Sequence, residues 1–439
     1  MHILRSMNQL LKEMNNKKRV LVISNNCFSP SDSNGRTLGN LFYGWPKECL
    51  AQMCVIAKDP MWELCDNYYC LEDQTVLYAF LHCKKAVGRR LVKQGTTSDS
   101  STSVDTQRKH VGRKNLPRIM MREMVWAAKR WQSKDFEQWV NDFNPELVVL
   151  QFGDCSFMID IALTVAKSRN IPLVVYNTEG YYFFNKFWYY HSAWDAVLFP
   201  FFKQSYRKNV RRLMKYAVHS VYLNDELKED YYEEFHKPST VIYNSSSMQR
   251  FTDPLFADEI PHISYLGGLG HGRDLAIMDV GEVLHSIDER YLIDVYGPAV
   301  ESVVKKFETA VGMRYHGTVS YDTVKEVMGK SDILFYVEPS SDSDNQLRYG
   351  FSTKIADSVI SGKCFVLYTP KDLACAKYVF ENHCGWTAET KDDLRDVLLR
   401  VINNKQEREE ILEQAQIVAQ KNHSYEGNAR KFQTVLQNA

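Results

Sequence analysis

Two α/β domains of the Rossmann type, one following the other, are what this sequence predicts. Two observations carry the prediction. Short β-branched runs alternate with helical stretches in two separate series, and a chain of 439 residues is long for one hydrophobic core but ample for two. A polar connection, Asn244-Ser245-Ser246-Ser247 and then Asp253-Pro254, divides the series, so the expected domains are 1–246 and 247–423.

The first series opens with a strand over 19–24, a Ser/Pro/Asp/Gly loop and a helix over 37–45. Strands are expected at 53–57, 147–151 and 173–176, the last two joined by a helix over 158–169. A strand at 221–223, a helix to about Phe235 and a strand at 239–243 close the series. This βαβ rhythm requires a parallel sheet with helices on its faces. From Gln94 to Asn115 the chain runs through Ser, Thr, Gly and Asp and then Arg and Lys with no apolar period. Such text predicts a surface insertion, either an acceptor contact or a plain disordered loop.

The second series begins with a strand over 263–266, a glycine-rich loop and a helix to Ile287. It continues with a strand at 291–296, a helix to Val311, a strand near 313–315, a helix ending near Lys330 and a strand at 333–337. A helix over 353–360, a strand at 364–368 and a helical region from Lys391 complete it.

Lys plus Arg and Asp plus Glu both number 54, so no global field favours nucleic acid, and any charge recognition must be local. No apolar run reaches the about 20 residues that span a bilayer, and Met1 to Lys18 lacks a signal-peptide core, so a cytoplasmic protein is expected. The ten cysteines sit in apolar contexts that suit buried, reduced thiols. Cys49, Cys54, Cys65 and Cys70 have regular gaps but no C-x2-C pair, and no metal site is expected from them.

Ligands of open α/β sheets bind beyond the carboxyl ends of strands, so the loops there are where chemistry is sought. Tyr265-Leu266-Gly267-Gly268-Leu269-Gly270-His271-Gly272-Arg273 combines glycines that let amides approach an anion, a following helix N-terminus and a fixed charge. The same glycines also suit an ordinary strand-to-helix turn. Arg273 stands where a dinucleotide fingerprint needs its third glycine, which speaks against a nicotinamide cofactor. In Phe351-Ser352-Thr353-Lys354-Ile355-Ala356-Asp357, Ser352 can cap a helix whose first turn carries Lys354, converging hydroxyl, amides and ammonium on a phosphate. Asp357, one turn on, can accept from a ribose diol; a plain capped helix would read the same way.

The order of Gly267-Gly268-Leu269, Arg273, Asp294-Val295-Tyr296-Gly297-Pro298, Tyr315-His316-Gly317-Thr318-Val319, Ser331-Asp332-Ile333 and then Lys354 to Gly362 resembles the C-terminal half of GT-B glycosyltransferases of the family 4 type. Ser29-Pro30 to Gly35-Arg36 and Val241-Ile242-Tyr243-Asn244 resemble the first glycine loop and the interdomain strand end of that family's N-terminal half. The resemblance implies the GT-B fold, two Rossmann-like domains facing across a cleft, with 424–439 crossing back onto the first. It implies transfer of a hexose, with retention and without metal, from a UDP- or GDP-linked donor to a hydroxyl of a glycan or lipid-linked acceptor, as in bacterial polysaccharide or glycolipid biosynthesis. The donor is a substrate, and no cofactor is implied.

Residue by residue, the resemblance puts Arg273 and Lys354 on the donor diphosphate, Asp357 on the ribose, and His316 and Gly317 by the nucleobase. Gly267, Gly268, Gly270, Gly297, Ser352 and Thr353 complete the donor site, with Gly35 at the diphosphate from the first domain. Glu179, in Asn177-Thr178-Glu179-Gly180, stands where the family has a histidine that touches the transferred sugar. The chain departs from the pattern at Tyr349, where the family has a first glutamate, and at Gly268, where it has an arginine. Without retention, Glu179 or Asp154 is the candidate base. An epimerase of the same architecture and a non-catalytic sugar-nucleotide-binding protein are the alternatives.

Three further stretches carry expectations. Asp342-Ser343-Asp344 has the D-x-D form of a metal-diphosphate site but lies in a polar loop, and a solvated loop is expected. Phe199 to Lys215 interleaves aromatic with basic residues, which suits either an anionic membrane surface, at the inner face of the cell membrane, or a solvated helix over a core. Tyr181 to Tyr190 is an aromatic block fit for stacking on sugars or for core packing.

Overall fold

Val20, Leu21, Val22 and Ile23 have no exposed surface, because they form a middle strand of an eight-stranded sheet covered on both faces. The computed structural model describes residues 17–93, 115–187, 193–270, 272–339 and 347–439. The chain forms two units, Met1–Ile242 with Ala429–Ala439, and Tyr243–Asn428.

In the first unit the elements are β1 (Val20–Asn26), α1 (Ser33–Leu41), β2 (Leu50–Ile56), β3 (Asn67–Cys70), α2 (Asp73–Leu81), β4 (Arg89–Arg90), α3 (Leu116–Ala127) and α4 (Lys134–Phe143). They continue as β5 (Leu147–Gln151), α5 (Phe157–Arg169), β6 (Leu173–Asn177), α6 (Ala193–Tyr216), β7 (His219–Tyr222), α7 (Asp225–Phe235) and β8 (Ser239–Val241). The strand order is β4-β3-β2-β1-β5-β6-β7-β8, parallel throughout except for β3 with β4. The chain leaves β1 toward β2 and later returns on its other side as β5, so the sheet's switch point lies between β1 and β5.

In the second unit the elements are β9 (Ile263–Leu266), α8 (Arg273–Ile287), β10 (Ile293–Tyr296), α9 (Glu301–Phe307), β11 (Met313–Gly317), α10 (Tyr321–Lys330) and β12 (Ile333–Val337). There follow α11 (Thr353–Ser361), β13 (Cys364–Tyr368), α12 (Ala374–Asn382), β14 (Trp386–Ala388), α13 (Lys391–Asn403), α14 (Lys405–Asn422) and α15 (Tyr425–Asn438), the last of which ends in the first unit. Its sheet is all parallel, in the order β11-β10-β9-β12-β13-β14, with the switch point between β9 and β12.

Several elements differ from the sequence expectation. The first helix begins at Ser33 rather than Thr37, because Asp32 caps it by accepting from the Gly35 amide at 2.8 Å. The helix expected to reach Val311 stops at Phe307, where the Thr309 and Ala310 amides turn back onto Lys306 and Phe307. β3, α2, α3, α4, α12 and β14 were not anticipated. The insertion over Gln94–Asn115 lies outside the described residues apart from Asn115, whose side chain caps α3. Near the C-terminus, Phe432, Val435 and Leu436 enter the first unit's core, with Phe432 edge-on to Phe42 at 5.2 Å between ring centres.

Candidate active site

At the second unit's switch point the loops leaving β9 and β12 diverge, which opens a crevice at the carboxyl edge of the sheet. The backbone of that edge is built by glycines. The Gly267 amide donates to the Tyr296 carbonyl and the Gly297 amide to the Gly317 carbonyl, each at 2.8 Å, so the ends of β9, β10 and β11 are stitched together. Gly297 has φ +149°, and a Cβ there would collide with the Gly267 carbonyl, so only glycine allows this approach. Tyr265 donates its hydroxyl to the Gly268 carbonyl at 2.9 Å, fixing the loop over the strand end. The Gly268 and Gly270 amides donate to no protein atom among the described residues, which leaves them available to an anion.

Arg273 opens α8, and Glu338 directly follows β12, so the two sides of the switch point meet through their side chains. Arg273 donates from Nε to Glu338 Oε2 at 2.9 Å and from Nη2 to Oε1 at 2.7 Å, and Tyr336 donates to the same Oε1 at 2.7 Å. Burial works against the guanidinium's charge, and the hydrogen bonds and charge of Glu338 outweigh it, holding the group protonated. A bidentate pair of this kind fixes the plane of the guanidinium.

Lys354 lies in the first turn of α11, capped by Ser352, whose Oγ accepts from the Lys354 amide at 3.3 Å. Its Nζ sits 5.4 Å from the Tyr265 ring centre and 5.6 Å from that of Tyr336, and it would collide with a Cβ on Gly267. Burial and the neighbouring Arg273 charge lower its pKa to about 8, against a partial offset from Glu338. Two cations and one carboxylate thus share a half-buried crevice, giving a net positive charge beside open amides. Such a setting favours an anion.

The structure therefore brings together Gly267, Gly268, Arg273, Lys354, Ser352 and Thr353, with Gly297 and Gly317 along the same edge. Asp357 lies one turn beyond Lys354 and accepts from the Ser246 hydroxyl. Asn244 donates to the Phe351 carbonyl at 2.9 Å, so the segment after Tyr243 holds the chain both ahead of α11 and one turn into it. His316 is on the edge strand β11, stacked on Tyr296 at 4.4 Å with its Nε2 2.6 Å from Asp294 Oδ1, and Arg314 shares that carboxylate. Tyr349 is buried with the Arg348 guanidinium 5.2 Å from its ring centre, a packing position.

Gly35 and Glu179 belong to the first unit. A Cβ on Gly35 would meet the Cys27 carbonyl and the Ser29 amide, so glycine is required there by the approach of the β1 loop to α1. Glu179 lies at a cavity of about 310 Å³ beyond β1, β5 and β6, which Asp154 also lines. Its side chain reaches solvent yet is ringed by protein, and this confinement, with Asp154 nearby, pushes its carboxyl up to about 7. Both carboxylates considered as bases thus share one cavity.

Sequence reasoning missed Glu338. A carboxylate directly after the strand at 333–337 was the signal, because that strand ends at the switch point. Over Phe199–Lys215 the aromatic and basic residues divide between the core and the exposed side of α6, where Phe201 lies. Phe199, Phe202 and Tyr206 are core residues of α6, and Arg207, Arg211 and Arg212 engage Tyr182, Glu234 and Asp160. In the aromatic block, Tyr182, Phe184 and Phe187 are core as well, while Trp188 to Tyr190 and Asp342 to Asp344 lie outside the described residues. The second unit has another concavity, a groove of about 830 Å³ between α12 and α13, lined by Lys377, Phe380 and Arg400 but by none of the residues predicted for the site.

Residues 281–434 match the family model described as glycosyl transferase-like. No curated protein matches the sequence. Among solved structures, HepE of Anabaena in complex with UDP is similar at 12% identity and a TM-score of 0.59, over 96% of this chain and 100% of that one. Sucrose-phosphate synthase from Thermosynechococcus elongatus is similar at 9% identity and a TM-score of 0.58, over 96% and 99%. WaaG, a glycosyltransferase of lipopolysaccharide biosynthesis, is similar at 11% identity and a TM-score of 0.53, over 96% and 100%.

Proposed function

We propose that this chain, which has the GT-B fold and carries a glycosyl transferase-like domain over residues 281–434, moves a sugar from a nucleoside diphosphate to a hydroxyl acceptor. The observation that carries the reading is the convergence of Arg273, Lys354 and the open glycine amides at one switch point. Breaking the anomeric bond leaves negative charge on the departing diphosphate. Cations and amides already aimed at that position stabilise the transition state more than the ground state. Arg273 is held in place by Glu338 and Lys354 by the cap and the flanking rings, so neither has to be ordered during reaction. This charge set supports departure of the diphosphate without a metal ion. Asp357 serves the ribose and His316 the base side of the donor, and UDP, which HepE binds, is the first nucleotide to test. The Glu179 carboxyl, close to neutrality in its affinity for a proton, can act as base where the chemistry requires one.

The test is incubation of the purified chain with UDP-linked sugars, alone and with an acceptor panel, followed by NMR. Glycosylated acceptor, with slow release of UDP from donor alone, is the expected result. An isomerised nucleotide sugar from donor alone supports an epimerase instead, and donor binding with no turnover on any acceptor supports a non-catalytic binder.

Among the described residues no helix is long and apolar enough to cross a membrane. Surface contact is a separate matter. Trp194, Val197 and Phe201 project from one outer face of α6, which continues into exposed Lys208 and Lys215. We assign peripheral attachment to anionic bilayers, as a lipid-linked acceptor needs, to this face. Phe201→Glu should abolish co-flotation with phosphatidylglycerol vesicles; unchanged flotation rules the face out.

A further inference from the structure

The chain passes from the first unit to the second at Ile242–Tyr243 and returns at Asn428–Ala429. Within the second unit, one buried cluster holds the residues beside both crossings. Asn428 donates from Nδ2 to the Tyr243 carbonyl at 2.9 Å and to the Ser245 hydroxyl at 3.0 Å. His423, directly after α14 and with no exposed surface, has its Nδ1 2.7 Å from the Asn244 carbonyl and its Nε2 2.8 Å from the Tyr378 hydroxyl. A carbonyl oxygen only accepts, so Nδ1 carries a proton and donates it there.

Two routes lead from His423 to the first turn of α11, where Lys354 stands. Through its side chain, His423 fixes the backbone of Asn244, whose Nδ2 donates to the Phe351 carbonyl at 2.9 Å. Through its backbone, the His423 carbonyl accepts from the Ser246 amide at 3.1 Å, and the Ser246 hydroxyl donates to Asp357. The Phe351 ring packs against Tyr378, Tyr243 and His423, at 5.0, 5.2 and 6.4 Å between ring centres. Phe351 immediately precedes Ser352, so its placement sets the helix cap and, with it, the amides and ammonium of that turn.

We propose that His423 is a positioning residue for the donor: its imidazole, through Asn244 and Phe351, holds the first turn of α11 in the conformation that receives the diphosphate. The inference rests on the glycosyl-transfer reading and adds to it a residue outside the phosphate crevice. A turn that is already ordered loses less freedom when the donor arrives, so slackening it is read as lost affinity.

The experiment is calorimetric titration of the full chain with UDP, on the parent, His423→Phe and His423→Asn. Phe fills the ring's space without the Nδ1 proton, whereas the Asn amide can donate from the same place. His423→Phe should bind UDP about tenfold more weakly, and His423→Asn within about twofold of the parent. A chain that merely unfolds in part would lower the stoichiometry and leave Kd unchanged. If His423→Phe does not fold, Tyr378→Phe, which removes the hydroxyl beside Nε2, should weaken UDP about threefold. Parent-like UDP affinity in the folded Phe variant, or an Asn variant as weak as it, overturns the proposal. Hydrogen exchange without ligand separates this outcome from failure of the donor reading. The Ile355 amide, which donates to the Ser352 carbonyl, should exchange faster in His423→Phe whether or not the parent binds UDP, and unchanged exchange there also overturns the proposal. Absence of UDP binding by the parent, with faster exchange in the variant, sinks the donor reading alone.

Discussion

Lys354→Ala is expected to slow transfer by about 10²–10³-fold, the loss typical of removing one preorganised group from the position where charge develops. Folding stability should hardly change. Below about pH 8 the ammonium is charged in a half-buried site beside Arg273, so removing it relieves a desolvation penalty as well as losing packing. The sign of the pH effect follows from the lowered pKa. Between about 8 and the ordinary value of 10.5 the folded chain binds fewer protons than the unfolded one, so this group's contribution to stability rises with pH across that window. Donor affinity runs the other way, falling as pH passes through about 8 and the ammonium is lost. Lys354→Arg should remove that alkaline limb. Turnover by the alanine variant equal to that of the parent would show that the ammonium does not serve the departing diphosphate.

Glu338→Ala is expected to cost about 3 kcal/mol in chemical unfolding, because removing one partner of a buried ion pair strands the other. The lower part of that range applies, since the Arg273 side chain keeps 21% of its exposure and water can recover part of the loss. The variant also strands the Tyr336 hydroxyl and frees the guanidinium to rotate, so donor binding should fall together with stability. Glu338→Gln, which keeps the shape and one acceptor, should lose less of both. A Glu338→Ala chain as stable as the parent would mean that the pair positions Arg273 without stabilising the unit.

The reading from sequence went furthest where pattern and physics are local. The strands at 147–151, 263–266, 333–337 and 364–368 have the predicted ends, because fully buried parallel strands are short apolar runs bounded by turn residues. The Ser352 cap and the glycine loop were legible for the same reason. What escaped depends on partners far along the chain. Glu338 acquires its role only by facing Arg273, 65 residues away. Of the basic residues of α6, Arg212 and Arg211 have partners in Asp160 and Glu234, which no local pattern shows. β14, three residues long at a sheet edge, carries too little period to be seen.

The central claim is that the donor diphosphate sits at the β9/β12 switch point, and hydrogen exchange of the full chain with and without UDP tests it most directly. The account predicts slowed exchange at the amides of Gly268, Gly270 and Thr353 on adding UDP, with Lys354→Ala weakening the effect. Protection confined to the groove between α12 and α13, around Lys377, Phe380 and Arg400, would contradict it.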